Sequence, residues 1–490
     1  MKPVSNIHFR RQTRVLMSLG FALLTLTLLA QPRNAVYLPF NEAEPILKQV
    51  DEILPGELKG KSSEQQASVW ATWVQRRDHE IRSRLEQGDE DSLINFLLFG
   101  SSFTRQPRLN GKQVAQIGPE GVVAQEAAGT GEVAVARRIL SARADDLIKG
   151  AALPGNNERL IFANSVLTKR KGLNLKTAAG AAAARNYLLG NLSRVLKESA
   201  SYTRILEQAK LLGNRSEEFA ERSRLFSTRG LSSDTSLPPN FALEQSLKAM
   251  LDRKLISAGA IRRVAIIGPG LDITDKEEGF DFYPQQTIQP FAIIDSLLRL
   301  GLAQPGELQL TTLDLSPRVN AHISRAHAMA AQGQTYTLQL PRSVEAGWKP
   351  EVIKYWTQFG DHIGTPTTAM QPPTTAGNLV TRAVKVRAEI VSRITPLDLN
   401  IVLQRLNLPE DQRFDLIVAT NIFIYYDVFE QSLCLRNVET MLRRGGFLLT
   451  NNALLELPSS GVHSVDYLTV VYSDRPDDGD HIVWYQRAAD

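Results

Sequence analysis

The residues best suited to chemistry in this 490-residue chain follow short apolar runs in its C-terminal half. The first run, 264–267, leads directly into Gly268-Pro269-Gly270, which allows a tight turn and a close approach of a ligand to the backbone. Further polar residues stand at or just beyond strand ends, namely Asp272, Asp314, Asp398 and Asn421. A carboxylate at a strand tip can accept hydrogen bonds from both hydroxyls of a ribose. The pattern predicts a nucleoside-binding site.

Alternating strands and helices are needed to bring these residues together. A continuous apolar run bounded by glycine is typical of a strand buried on both faces of a parallel sheet. We predict strands at 264–267, 308–313, 388–394 (extending to 398), 414–421 and 447–450, with helices at 289–300, 316–330 and 428–442. Two closing strands, 466–472 and 481–486, flank an Asp/Gly turn and predict a hairpin. The fold class is therefore α/β, with a doubly wound, seven-stranded, Rossmann-like sheet and a terminal β-hairpin.

The hydrophobic pattern of the N-terminal half has the period of a helix rather than that of a strand. Apolar residues recur every three or four positions through much of 35–231, which predicts an all-helical domain. The polar, proline-bearing stretch 232–240 predicts a linker to the α/β domain, 241–490. Within that domain, the Pro/Thr-rich stretch at about 341–382 predicts an insertion over the site. We predict no metal site.

The N-terminus predicts membrane targeting. Sixteen uncharged residues, 15–30, follow Arg10, Arg11 and Arg14, the pattern of a signal peptide or membrane anchor, which we assign to 1–34. As a helix this run is about 24 Å long, shorter than the roughly 30 Å hydrocarbon core. The positive-inside rule then places the rest of the chain on the far side of the membrane, anchored or exported to the periplasm.

The charge distribution argues against a nucleic-acid-binding protein, and the cysteine content argues against a disulfide-stabilised one. Five basic and no acidic residues lie in 1–40, and the rest of the chain holds 51 basic against 52 acidic side chains. The excess of basic charge thus belongs to the N-terminus, and no nucleic-acid partner is predicted. The single cysteine, Cys434, excludes an internal disulfide framework and is expected to be a buried small hydrophobe.

The stretch 414–452, FDLIVATNIFIYYDVFEQSLCLRNVETMLRRGGFLLTNN, is similar to the fourth-strand to fifth-strand region of the chemotaxis-receptor glutamate methyltransferases. The domain as a whole resembles a class I S-adenosylmethionine-dependent methyltransferase. This resemblance implies S-adenosylmethionine as the cofactor and an alignment of the acceptor with its methyl group as the main task of the protein. By position, it implies the methionine part at Gly268, Gly270 and Asn421, the ribose at Asp314, the adenine amino group at Asp398, further cofactor contact at Asp272, and the acceptor near Tyr425 and Tyr426.

Departures from that family leave the acceptor open. Thr420 stands where the receptor methyltransferases have arginine, so receptor methylation is not implied. A carboxylate or small-molecule acceptor is favoured over a nucleic-acid base, because no Asn/Asp-Pro-Pro-aromatic motif and no Pro-Cys pair follow the fourth strand. A carboxylate needs no general base, and no catalytic residue is assigned.

Two alternatives stay open at the level of sequence. Export would separate the domain from a cytoplasmic cofactor, which favours an exported or membrane-tethered, non-catalytic protein that keeps the fold. A nicotinamide-dependent oxidoreductase is the other alternative, but it would have a third glycine three residues after Gly270, and no glycine stands there or at the following Thr274 and Asp275.

Overall fold

The structure is a computed structural model that describes residues 35–123, 131–212, 229–273, 280–475 and 478–489. The predicted signal or anchor segment, 1–34, lies outside these residues. Among the helices that are described, none combines the length and the apolar character that a membrane span requires.

In chain order, the described strands and helices are β1 (Ala35–Tyr37), α1 (Phe40–Gln49), α2 (Ser63–Phe99), α3 (Gly111–Val123), α4 (Glu132–Ala152), α5 (Glu158–Asn164), α6 (Ala178–Leu212), α7 (Pro238–Asp252), β2 (Arg263–Ile267), α8 (Gln289–Arg299), β3 (Gln309–Asp314), α9 (Pro317–Ala331), β4 (Tyr336–Ser343), α10 (Pro350–Gln358), β5 (Gly364–Thr367), β6 (Leu379–Val386), α11 (Ala388–Val391), β7 (Ile394–Asp398), β8 (Gln404–Leu406), β9 (Phe414–Ala419), α12 (Val428–Met441), β10 (Leu442–Thr450), β11 (Val462–Val471) and β12 (Gly479–Arg487).

A seven-stranded sheet forms the centre of the C-terminal half, in the order β7-β3-β2-β9-β10-β12-β11. The first five strands pair in parallel, and β12 pairs antiparallel with both β10 and β11. This arrangement confirms the predicted mostly parallel sheet with a closing hairpin. The predicted strand at 388–394 is wrong for Ala388–Val391, which form a short helix, and β7 begins at Ile394.

Strand β2 shows why an apolar run marks the centre of this sheet. Val264 and Ile266 lie in the apolar core on one face, with α7 and α8. Ala265 and Ile267 lie in the core on the other face, with α1, α12 and the first half of α2. Successive side chains of a strand point to opposite faces, so a strand covered on both sides must be apolar at every position.

Helix α2 extends across 37 residues and belongs to two cores. It begins with a capping box. The Ser62 hydroxyl accepts a hydrogen bond from the backbone N–H of Gln65, and the Gln65 side chain accepts one from the backbone N–H of Ser62. Trp70 and Trp73, near its start, pack in the core of the sheet. Its last turns, including Phe96, pack in a separate core with α3 to α6.

The N-terminal half is helical except at its first described residues. The all-helical prediction is wrong for Ala35–Tyr37, which form β1 and pair antiparallel with β8 more than 360 residues away. Three residues are too few to show a strand period, and their partner is distant in sequence. The predicted domain boundaries stay predictions; the first half of α2 packs on the sheet, and its second half packs with the other helices.

Two further segments lie outside the seven-stranded sheet. Strands β4, β6 and β5 form a small antiparallel sheet over the stretch that includes the predicted insertion, 341–382. Residues 230–236, which we call the strap, pass across α2 and then beside the loop after β2. At the crossing the two backbones are in direct contact, because a Cβ added at Gly88 would lie 1.8 Å from the carbonyl oxygen of Leu231.

Candidate functional site

A cleft of about 890 Å³ opens at the carboxyl ends of the parallel strands. Strand β3, the next strand of this sheet along the chain, pairs with one side of β2, and β7 lies beyond β3. The strand that follows, β9, lies on the other side of β2, so the strand order reverses between β2 and β9. Open α/β sheets bind ligands at such a reversal. The cleft is lined by Leu85, Leu231–Ser236, Pro239, Ile267, Gly268, Gly270, Gln289, Leu313–Leu315, Leu399, Ile401, Thr420–Ile422, Tyr425 and Tyr426.

Both predicted glycines line this cleft, and both have a left-handed backbone, with φ of 66° at Gly268 and 65° at Gly270. A Cβ at Gly268 would lie 2.2 Å from Cδ1 of Ile422, and one at Gly270 would lie 2.7 Å from the carbonyl oxygen of Ser233. The loop is thus closely packed against the chain's own Ile422 and strap. This packing alone accounts for the two glycines.

Asp314, at the end of β3, lies in the cleft and is only 8% exposed. Its Oδ1 accepts from the backbone N–H of Ser316 at 2.7 Å, and the carboxylate also accepts from the backbone N–H of Gly270. It therefore joins the glycine loop to the start of α9. Burial raises the pKa of Asp314 to about 7, and the two backbone donors only partly offset that effect.

Asn421, just after β9, lines the opposite wall of the cleft and also has a left-handed backbone, with φ of 57°. Asparagine tolerates this conformation better than most residues. A reciprocal pair of hydrogen bonds holds it: its backbone N–H donates to Oδ1 of Asn451 at 2.8 Å, and Nδ2 of Asn451 donates to Oδ1 of Asn421 at 2.7 Å. Next to it, the Thr420 hydroxyl accepts from the Gln289 side chain at 2.9 Å.

Tyr425 and Tyr426, predicted near the acceptor, line the cleft as well. Arg84 of α2 donates to the backbone carbonyl of Tyr425 at 2.8 Å, and its guanidinium lies 6.0 Å from the ring centre of Tyr426. Burial raises the pKa of the Tyr426 hydroxyl well above its usual value. Tyr426 therefore stays protonated at neutral pH.

Two predicted site residues are placed outside the lining of the main cleft. The Asp272 carboxylate is buried, where it accepts from the Tyr283 hydroxyl at 2.6 Å and from the Gln286 side chain at 3.1 Å. It lies at a neighbouring pocket rather than in the cleft. Asp398 is the register partner of Asp314 on β7, but its Oδ1 accepts from Arg82 of α2 at 2.7 Å.

Sequence reasoning missed the strap and α2 as walls of the cleft. The stretch 232–240 was predicted to be a linker, yet Ser232–Ser236 line the cleft and helix α7 begins at Pro238. The strap is fixed at both sides, because Ser92 of α2 donates to Asp234 at 2.9 Å and the Leu271 N–H donates to the Ser233 carbonyl at 2.7 Å. The one available signal was Gly88, since a glycine inside a helical pattern usually has a packing reason.

Comparison with known proteins gives only distant similarities. No protein-family model and no curated protein matches the chain. Among solved structures, the glycopeptide N-methyltransferase MtfA complexed with sinefungin is 11% identical, with 52% of this chain and 69% of that chain covered and a TM-score of 0.22. The magnesium protoporphyrin IX methyltransferase ChlM from Synechocystis PCC 6803 is 11% identical, with coverages of 55% and 90% and a TM-score of 0.24. The CurJ carbon methyltransferase is 13% identical, with coverages of 87% and 98% and a TM-score of 0.24. Similarities at this level carry no conclusion about function.

Proposed function

We propose that this protein is an S-adenosylmethionine-dependent methyltransferase. The observation that supports the proposal is the position of the cleft, at the reversal of strand order in a seven-stranded sheet, between the glycine loop after β2 and Asn421 after β9. The resemblance of 414–452 to methyltransferase sequences agrees with this position.

The residues of the cleft fit the chemical parts of that cofactor. An ionised carboxylate has about four acceptor positions, so Asp314 can accept from ribose hydroxyls besides its two backbone donors. Leu315, Leu399 and Ile401 offer apolar side chains to a purine. Gly268 and Asn421 lie on the two sides of the strand reversal, where we place the methionine part.

The chain's own contribution to methyl transfer is then positional. The bound cofactor supplies an electrophilic methyl group on a sulfonium. Tyr425, Tyr426 and the strap would hold the acceptor in line with that methyl group and exclude water from it. We propose a carboxylate or small-molecule acceptor, because a carboxylate is ionised at neutral pH and reacts without a general base.

The test is calorimetric titration of the full chain with S-adenosylhomocysteine, with NAD⁺ titrated in parallel. We expect saturable binding of S-adenosylhomocysteine and weaker or absent binding of NAD⁺. The variant Asp314→Asn should lose the binding of S-adenosylhomocysteine. A folded protein that binds S-adenosylhomocysteine with a Kd no tighter than about 1 mM would refute the proposal. Preferential binding of NAD⁺ would instead support the oxidoreductase alternative.

A non-catalytic role is the second candidate, and one observation favours it. The side chain of Ile422 covers Gly268, so part of the space beside the glycine loop is filled by the protein itself. The proposed export of the chain by 1–34 would favour the same alternative. A reporter fused after residue 490 tests the location: activity only on the outer side of the membrane, together with no cofactor binding, would favour the non-catalytic protein.

A further inference from the structure

A chain of polar side chains behind Asn421 determines which way its side-chain amide faces. We propose that Asn451 and Asp480 are positioning residues that turn the Asn421 amide so that its N–H groups are directed away from the protein network and are available to the cleft. The ligand group that binds there must then be a hydrogen-bond acceptor. The inference rests on the proposed function, within which this acceptor is the carboxylate of the cofactor's methionine part.

The orientation follows from groups that can only donate or only accept. The backbone N–H of Asn421 is a donor, so the Asn451 atom that it contacts at 2.8 Å is Oδ1. The other end of the Asn451 amide is therefore Nδ2, and it contacts the Asp480 carboxylate, an acceptor, at 3.1 Å. Both contacts require the same orientation of the Asn451 amide.

The same reasoning applies to Asn421. Because Nδ2 of Asn451 donates, the Asn421 atom that it contacts at 2.7 Å is Oδ1. The Tyr472 hydroxyl donates to the second oxygen of Asp480 and holds that carboxylate in place. Nδ2 of Asn421 thus keeps two N–H donors, and within the described part of the chain it makes no hydrogen bond to protein.

Backbone conformation limits where these donors can point. Asn421 has a φ of 57° and lines the cleft with an exposed side chain. Its oxygen is engaged by Asn451, so the donors are the part of the side chain left for a ligand. The methionine part of the cofactor carries a carboxylate, which accepts hydrogen bonds, and an ammonium group, which donates them. An amide that presents N–H groups selects the carboxylate.

The double variant Asn451→Asp/Asp480→Asn tests this orientation without touching Asn421. The new carboxylate at position 451 would still accept from the Asn421 backbone N–H. The new amide at position 480 could still accept from Tyr472 and donate to that carboxylate. The second carboxylate oxygen at position 451 could then only accept, so the Asn421 amide would turn over and present its oxygen to the cleft. The overall charge is unchanged. Asp478→Asn, in the same hairpin but bonded to Ser473 instead, is the matched control.

We expect the double variant to keep its melting temperature within a few degrees and to bind S-adenosylhomocysteine about 10- to 100-fold more weakly, because hydrogen bonds to a carboxylate are lost. Binding of 5′-methylthioadenosine, which lacks the carboxylate, should stay unchanged. Unchanged binding of S-adenosylhomocysteine, or an equal loss for both ligands, would overturn the inference. Failure of the wild-type protein to bind either ligand would instead refute the proposed function.

Discussion

Asp314 combines a proposed binding role with a cost to stability. Burial raises its pKa to about 7, whereas an aspartate in an unfolded chain titrates near 4. Between about pH 4 and pH 7 the folded state therefore holds a proton that the unfolded state has released. Stability falls as pH rises through this window, and the full penalty remains above pH 7.

Substitution of Asp314 should separate the two effects. We expect Asp314→Asn to raise the free energy of unfolding at pH 8 by about 2 kcal/mol, less than the full penalty because the amide accepts fewer hydrogen bonds. The gain should shrink towards pH 4, while binding of S-adenosylhomocysteine is lost at every pH. Urea denaturation from pH 4 to pH 8 measures the first effect and calorimetry the second. A stability difference that does not change with pH would contradict this account of Asp314.

Gly270 and Gly301 share a left-handed backbone but differ in what surrounds them. Gly301 has nearly the same φ, 66° against 65°, but a Cβ there would meet nothing within 4 Å. Gly301→Ala should therefore cost only the backbone strain, about 1 kcal/mol. Gly270→Ala adds a Cβ at 2.7 Å from the Ser233 carbonyl and should cost about 2 kcal/mol more, with weaker cofactor binding. Equal losses in the two variants, measured by urea denaturation, would show that the strap moves away freely.

Helix α2 lines the cleft with Leu85 and supports the strap through Gly88. Alanine normally stabilises a helix interior relative to glycine by about 0.5–1 kcal/mol, and this is expected for Gly190→Ala on the exposed face of α6. Gly88→Ala should do the opposite, because its Cβ would lie 1.8 Å from the Leu231 carbonyl oxygen and would displace the strap. We expect a loss of more than about 2 kcal/mol. A stabilised Gly88→Ala protein, by thermal denaturation, would show that the crossing is not tight.

The same elements show what sequence can and cannot reveal. The apolar run before Gly268 predicted β2, because a strand covered on both faces has no polar position. No local pattern could reveal that Arg82 bonds Asp398 or that the strap crosses α2, since the partners are 316 and more than 140 residues apart. The polar composition of 232–240 is typical of a linker, whereas the role of the strap as a cleft wall depends on backbone contacts of Leu231 with Gly88 and of Ser233 with Leu271.

At the scale of the whole molecule, buried polar groups join the helical half to the segment beside the cleft. Asp281 accepts four hydrogen bonds from the backbone and side chains of Ser101 and Ser102. Arg159 of α5 is 1% exposed and donates to the carbonyls of Asp272, Ile273 and Tyr283. A buried arginine is tolerated only when its donors are satisfied. The Asp281 carboxylate and the Arg159 guanidinium thus attach the two halves to each other.

The first half of α2 also completes the core of the sheet. The ring centres of Trp73 and Trp70 are 5.2 Å apart in a stacked arrangement, and the ring centres of Trp73 and Phe429 of α12 are 5.7 Å apart. Helix α1 and strand β1 pack in the same region. A fragment of residues 236–490 would expose this face of the sheet to water. We therefore expect it to be aggregated or to lack a cooperative thermal transition, whereas residues 35–490 should unfold cooperatively.

The variant Trp73→Ala provides the graded version of this test. Truncation of a buried tryptophan lowers the free energy of unfolding by about 3–5 kcal/mol, which urea denaturation measures. Binding of S-adenosylhomocysteine should also weaken, because α2 carries Leu85 and Arg84 at the cleft. Phe103→Ala is the matched control: it contacts Phe96 in the separate core of α3 to α6 and should lower stability with little effect on binding. If the fragment 236–490 folded cooperatively and bound S-adenosylhomocysteine as well as residues 35–490 do, α2 would be an accessory to the cleft rather than one of its walls.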